Sequence, residues 1–348
     1  MEAFNVINKG NLLNKKTSLW LLGVFALVIL VFYRGRGELM TAFYRVEIGT
    51  LLLLISLQVL TLSMITYQWY YLLKRANEDK ENLTDKGLTF FGTAVFYLAG
   101  SFVEKVTPSS KLGGETAKVL LLYRKTDLNV SDLFSVVFLQ KYIMLLPLLI
   151  LCLLTVVVGL KTGVRLPQIL SLSVPLVFVL IVVVFLLQKY FKVFTRIGQW
   201  SLGFLLNSRI KIIKRGANSL AKIVDAGFFN MSPGEKRFLM GLSFFVWGLY
   251  PLKLYLVSRM LNYNISLLFV IIVTYAAYFA GILPLTPGGL GTFEGAAGLL
   301  FVLNGFDFAQ GLTLALITRL VTYWFPLLLS LLAAVYVLHV YNREAGVK

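Results

Sequence analysis

Residues 133–160 form a long apolar run with one charge inside it, Lys141. Crossing a bilayer takes about 20 mostly apolar residues in a helix, and this run is longer. Seven more apolar runs share the chain, at 18–33, 48–73, 88–103, 166–191, 238–260, 265–283 and 308–341. Hydrocarbon offers no hydrogen-bond partner, so a chain that crosses it must satisfy its own amides, which these runs do as helices. The expected fold is an all-α polytopic membrane protein. It has about eight transmembrane helices plus two broken or re-entrant segments, in one integral membrane domain over residues 1–348. The first run follows Lys15 and Lys16, and Arg34 comes next with no small-residue cleavage site, so it is expected to stay as a short first helix. No stretch of soluble length is left over for a separate catalytic domain.

Apolar residues make up 58% of the chain, and the net charge is +17. In a soluble protein that charge would suggest nucleic acid. Here Lys and Arg cluster between apolar runs, which suits topology signals and anionic lipid heads, so no nucleic-acid partner is expected. The basic connector 192–237 alternates apolar and basic residues in part, and is expected to lie on the cytoplasmic leaflet as amphipathic helix. A single cysteine, Cys152, and a single histidine, His339, argue against disulfides, a transition-metal site and Cys/His catalysis. No cofactor is expected.

One stretch breaks the pattern. Tyr278 to Glu294 reads YFAGILPLTPGGLGTFE, crowding Pro284, Pro287, Gly288, Gly289 and Gly291 ahead of a carboxylate. Irregular backbone at membrane depth survives only inside protein or beside water.

The stretch has a counterpart. Tyr97-Leu-Ala-Gly100 recurs as Tyr278-Phe-Ala-Gly281, and Thr107-Pro108 recurs as Thr286-Pro287. Seven residues after each of these prolines stands a glutamate, Glu115 and Glu294, preceded by Gly113 and Gly114 in one copy and by the three glycines in the other. Farther on, each copy places a base in an apolar run, Lys141 and Arg319, followed by aromatics and then Pro147 or Pro326. We read two related halves, at about 88–160 and 265–341. The positive-inside rule puts the N-terminal lysines, the 74–86 connector, the 192–237 connector and the C-terminus on one side. That works if each broken segment contributes a crossing, and the halves are then inverted. Two simple re-entrant hairpins would instead make them parallel, and we favour inversion.

A proline-glycine break followed by a helix leaves amides free at a positive helix N-terminus, where an anion can sit. Secondary transporters place broken helices at the interface of inverted repeats. Glu115 and Glu294 are expected in the first turns of the following helices. They either cap those helices or face a polar cavity and pair with Lys141, Arg319 or a head group. A purely structural ion pair is the main competitor. Candidate substrate-binding residues are therefore Glu115, Glu294, Arg319, Lys141, Gly113, Gly114, Pro287, Gly288, Gly289 and Gly291.

PLTPGGLGTFEG, followed about one helix later by Arg319 and YWFP, resembles the membrane domain of the lysylphosphatidylglycerol synthetase/flippase family, and TPSSKLGGETAKVLLLYR resembles its first signature. The resemblance runs from about residue 19 to 341. It implies the translocation half of that family, because the soluble domain that transfers lysine from charged tRNA has no counterpart in this sequence.

Three functions stand on this footing. The leading one is a flippase or transporter that moves a phospholipid, lysyl-phosphatidylglycerol-like or otherwise polar-headed, between leaflets of a prokaryotic cell membrane. The second is a membrane-bound phosphatidylglycerol lysyltransferase-type enzyme, although the chain shows no nucleotide-binding glycine motif. The third is a scaffold for a lipid-modifying synthase or glycosyltransferase. The family resemblance also makes a homodimer an expectation.

Overall fold

A computed structural model describes residues 44, 46–78, 89–106, 110–123, 126, 128–165, 231–282 and 286–346. The expected helices at 18–33 and 166–191, most of the basic connector, Thr107, Pro108, Pro284, Arg124, Lys125 and Asp127 lie outside the described residues.

Nine helices are described: α1 (Ile48–Glu78), α2 (Phe90–Val106), α3 (Ser110–Tyr123), α4 (Val130–Thr162), α5 (Pro233–Met260), α6 (Leu267–Ile282), α7 (Thr292–Leu303), α8 (Phe308–Arg319) and α9 (Phe325–Gly346). A 3₁₀ turn, Pro287–Gly289, precedes α7, and a π-helical turn, Leu320–Trp324, joins α8 to α9. No strand occurs among the described residues. Among the described residues, four segments are long and apolar enough to cross a membrane: Ile48–Asn77, Asp132–Thr162, Pro233–Met260 and Phe308–Val340. This is a multi-pass, all-α membrane protein.

Local chemistry sets several boundaries. α5 opens on a capping box, in which Ser232 Oγ accepts from the Glu235 amide at 3.2 Å and Glu235 Oε2 accepts from the Ser232 amide at 2.6 Å. Pro233 at the first helical position loses nothing, since its amide would have no helical partner. α4 stops at Gly163, whose φ of 74° a residue with a side chain would resist. α1 extends through Lys74 and Arg75 to Glu78, so the first residues of the connector expected from residue 74 are helical.

Both expected halves open on a helical hairpin. In the first, α2 and α3 pack as an antiparallel hairpin, with Gly100 against Lys118 and Gly114 against Glu104, and α4 follows. In the second, α6 and α7 pack likewise, with Gly281 against Phe293 and Phe269 against Phe301. α8 then turns back along α7 and leads into α9.

Contacts between the halves fix their relative sense. Lys105 near the end of α2 meets Ser330 near the start of α9, while Ala99, earlier in α2, packs near Ala333 and Val337. α2 therefore runs antiparallel to α9. α6 runs parallel to the α8–α9 pair, because two successive reversals separate them. α2 and α6, the equivalent first helices, thus point in opposite directions, the sense an inverted repeat requires. The exchange is mutual, since α6 packs on α4 through Tyr275 and Cys152.

The two largest apolar cores among the described residues span most of the bundle. One gathers α5 to α8 around Val257, Val270, Phe301 and Leu314. The other joins α1, α3, α4 and α5 around Trp69, Leu73, Leu133 and Ile143. Side-chain hydrogen bonds tie helices where apolar packing alone cannot discriminate against lipid. Gln68 Nε2 donates to Ser243 Oγ at 2.7 Å, and Trp247 Nε1 donates to the Met144 carbonyl at 2.8 Å. Large apolar side chains such as Phe138, Leu328 and Leu332 point outward, as a lipid-facing surface demands.

Candidate functional site

The break before α7 is organised around one arginine. Arg319, the last residue of α8, donates from Nη1 and Nη2 to the Gly288 carbonyl at 2.9 and 2.7 Å. Its Nε lies 3.1 Å from Glu294 Oε1. Its guanidinium carbon is 4.8 Å from the ring centres of both Phe293 and Tyr323. The side chains of Arg319 and Glu294 are only 8% and 4% exposed, so the pair is closed off. A buried ion pair is tolerable when hydrogen bonds satisfy its remaining sites. Here Arg319 also supplies a donor to a carbonyl that the broken helix would otherwise strand.

The glycines make the break possible. Gly288, Gly289 and Gly291 have φ of 58°, 69° and 82°, a region that L side chains rarely enter. A Cβ on Gly289 would stand 2.9 Å from Gly281 Cα, so α6 and the turn touch backbone to backbone. Pro287 starts the 3₁₀ turn.

Glu294 both caps and pairs. Its Oε2 accepts from the Gly291 amide at 2.7 Å while Oε1 faces Arg319. The Gly289 amide donates to the Thr286 carbonyl at 3.2 Å. These two turn amides, expected to be free for an anion, are used internally.

The first copy differs. The glutamate expected in a first turn, Glu115, sits in the middle of α3, and Gly113 and Gly114 are helical rather than part of the break. The reason is packing: a Cβ on Gly114 would lie 2.7 Å from Glu104 Cα, so this glycine lets α2 and α3 close together. The approach brings four charged groups into one cluster. Lys118 Nζ donates to Glu104 Oε2 at 2.8 Å and to Glu115 Oε1 at 3.0 Å. Lys141 Nζ lies 2.6 Å from Glu115 Oε1 and 3.4 Å from Glu104 Oε1. Lys118 also stands 5.7 Å from the Trp69 ring centre and 5.3 Å from that of Tyr97. Lys118 is sealed at 2% exposure, whereas the Lys141 side chain is 44% exposed. The first copy is open where the second is shut.

All ten candidate residues fall in or beside these two clusters, with Gly113 placed only by its position in α3. Glu104, Lys105 and Lys118 were missed. The Glu115–Lys118 spacing was legible as a helical i, i+3 pair, but Glu104 and Lys105 join only because α2 and α3 fold back on each other. The two clusters meet at the end of α2. Tyr323 Oη donates to the Lys105 carbonyl at 3.4 Å, and the same Tyr323 ring covers Arg319.

A further charge lies apart from both. Lys253 in α5 is fully buried and donates to Gln58 Oε1 at 2.6 Å and Thr61 Oγ1 at 3.0 Å, with the Tyr250 ring centre 4.3 Å away. No cluster of His, Cys, Asp and Glu able to hold a metal ion occurs among the described residues.

Comparison with known proteins agrees with this architecture. Residues 19–330 match the family model of the lysylphosphatidylglycerol synthase TM region. A UPF0104 membrane protein of Methanothermobacter thermautotrophicus is 24% identical over 89% of this chain and 92% of its own length. One from Pyrococcus horikoshii is 23% identical over 91% of this chain and 95% of its own. One from Methanocaldococcus jannaschii is 22% identical over 96% of this chain and 98% of its own. No solved structure matches the chain. With most of its length matched, the chain belongs to the family of the lysylphosphatidylglycerol synthase transmembrane region.

Proposed function

We propose that the protein moves a phospholipid between the leaflets of the cell membrane. The observation that carries this reading is the pair of glutamate–cation sites, Glu115 with Lys141 and Glu294 with Arg319, each attached to a helical hairpin of opposite sense. Charges inside spanning segments are costly and usually face a bundle interior or a water-filled path. Broken helices at the interface of inverted halves are the usual site in secondary transporters. The Lys105–Tyr323 contact joins the two sites, so movement of one hairpin is felt by the other. The head group passes along the polar clusters while the acyl chains remain in the bilayer. The Glu294–Arg319 pair acts as the closed latch, and the exposed Lys141 marks the open side.

The test is a leaflet-asymmetry assay. Purified protein is reconstituted into vesicles carrying a fluorescent phospholipid on both leaflets, and external quencher is added. Wild-type protein lets quenching proceed beyond the outer half, and Glu294→Gln and Arg319→Ala slow that second phase at equal folded protein. Quenching that halts at half for the wild type would overturn the function. Equal rates for all three proteins would overturn the site.

A further inference from the structure

Lys253 stands in α5, the helix that lies in sequence between the two expected halves. It is fully buried. Its Nζ donates to Gln58 Oε1 at 2.6 Å and to Thr61 Oγ1 at 3.0 Å, and the Tyr250 ring centre is 4.3 Å away. Among the described residues, α1, α4, α6 and α8 pack on α5, and none of them brings a charge to Lys253. The charges at the C-terminal end of α1 begin at Lys74, far along the helix from Thr61. Lys141 of α4 is taken by Glu104 and Glu115, and Arg319 of α8 by Glu294. The titratable groups around Lys253 are phenols, Tyr250 beside it and Tyr278 of α6 one ring farther on.

Lys118 and Lys141 stand against carboxylates. Lys253 has no such anchor. Burying an ammonium without an opposite charge is costly, and the two polar partners of Lys253 suit either protonation state. Gln58 presents an oxygen to an ammonium, and a half-turn of its amide presents NH₂ to the lone pair of a free amine. Thr61 Oγ1 keeps its own proton on the Leu57 carbonyl at 2.7 Å and accepts from the nitrogen in both states. The contact that changes is the one with Tyr250, because a ring face attracts an ammonium and not an amine.

Tyr250 passes that change on. Its ring centre lies 4.8 Å from that of Tyr278, which lies 5.0 Å from that of Phe293. Phe293 in turn covers the Arg319 guanidinium. Tyr250 also packs on the core that carries Tyr97, whose ring faces Lys118. Tyr97 and Tyr278 are the residues expected to be equivalent in the two halves. Tyr250 is half-buried, so it has accessible surface where Lys253 has none.

Resting on the transport reading above, we infer that Lys253 is a proton-binding site that couples lipid movement to a proton gradient, with Tyr250 as the positioning residue that reports its charge to both halves. The step is a single N–H bond broken and remade. The Lys253 ammonium gives its proton to water on the side to which the bundle opens, and the free amine takes one back from water on the other. Buried ionisable groups within spanning helices commonly serve as such relays.

The experiment has two parts. In the first, full-length protein is reconstituted into vesicles with phosphatidylglycerol carrying a fluorescent acyl chain. The membrane potential is clamped, and a pH step of about one unit is imposed. Coupling of one proton per lipid lets one pH unit hold a leaflet ratio of up to about tenfold. Wild-type protein should build an asymmetry of severalfold that collapses when a protonophore is added. Lys253→Met and Lys253→Arg, matched for folded protein by thermal unfolding, should leave the leaflets equal. Tyr250→Phe, which keeps the ring face, should retain the asymmetry, and Tyr250→Leu should lose most of it. In the second part, protein labelled with ¹³C at lysine Cε is titrated in detergent without lipid. The Lys253 signal, assigned by its loss in Lys253→Met, should move from the ammonium to the amine position as pH rises.

A Lys253 signal fixed at the ammonium position wherever the protein stays folded overturns the proton site. Wild-type lipid movement that ends in equal leaflets under the pH step overturns the coupling and leaves the transport reading standing. Wild-type asymmetry in both Lys253 variants overturns the assignment to this lysine, and wild-type asymmetry in Tyr250→Leu overturns the role of Tyr250. A titrating Lys253 in a protein that moves no lipid supports the proton site and sinks the transport reading.

Discussion

Lys141 and Arg319 hold the same place in two helical segments that run in opposite directions. Lys141 lies eleven residues after Val130, the first residue of α4, and Arg319 lies eleven after Phe308, the first of α8. Past that point the copies diverge by one residue, with Pro147 six positions beyond Lys141 and Pro326 seven beyond Arg319. The π-helical turn Leu320–Trp324 absorbs the extra residue, as such turns do for a single insertion. It also presents Tyr323 to Arg319 on one side and to Lys105 on the other.

Breaking the sealed pair should be expensive. Arg319→Ala leaves Glu294 buried beside an unpaired Gly288 carbonyl, and a loss of about 3–5 kcal/mol is expected for one partner removed from a buried pair. Thermal unfolding in detergent measures it. The Glu294→Gln/Arg319→Ala double variant should lose less than the two single losses summed. A strictly additive double variant would mean that the pair is not coupled.

Arg319→Lys should behave nearly as badly as the alanine variant. A lysine cannot offer Nε to Glu294 and two Nη groups to Gly288 from one planar fork. Retention of wild-type melting temperature and lipid movement would show that charge alone suffices.

Glycine substitutions should separate by position. Gly289→Ala combines a φ of 69° with a Cβ 2.9 Å from Gly281 Cα. A cost above about 2 kcal/mol is expected, from strain plus a backbone clash. Gly295→Ala, in α7 with open space around its Cβ, should change stability by less than about 1 kcal/mol. Similar losses at both sites would contradict the tight contact between α6 and the turn.

Lys253 should prove replaceable. Its ammonium is fully buried and held by two neutral groups, Gln58 and Thr61. Lys253→Met, of similar length, removes a buried charge without leaving a charged partner behind, so the melting temperature should hold or rise. A fall as large as that of Arg319→Ala would assign this lysine a structural charge role that the geometry does not show.

The sequence alone determined the class of fold. Apolar runs longer than a bilayer requires permit little besides helices, because hydrocarbon leaves backbone amides no other partner. It also determined the broken turn at Pro287–Gly291, since glycines at positive φ are written in residue type, and it set the expectation that Tyr97, Glu115 and Lys141 match Tyr278, Glu294 and Arg319. Tertiary structure decided what those residues do. Glu115 left its expected first turn because Gly114 serves helix contact rather than chain reversal. Glu104 and Lys105 entered the site because α2 doubles back on α3 and meets α9, contacts between residues that nothing in local spacing links. The opposite directions of α2 and α9 were also decided there. Periodicity reports which face of a helix is apolar, but only packing fixes which way its neighbour runs.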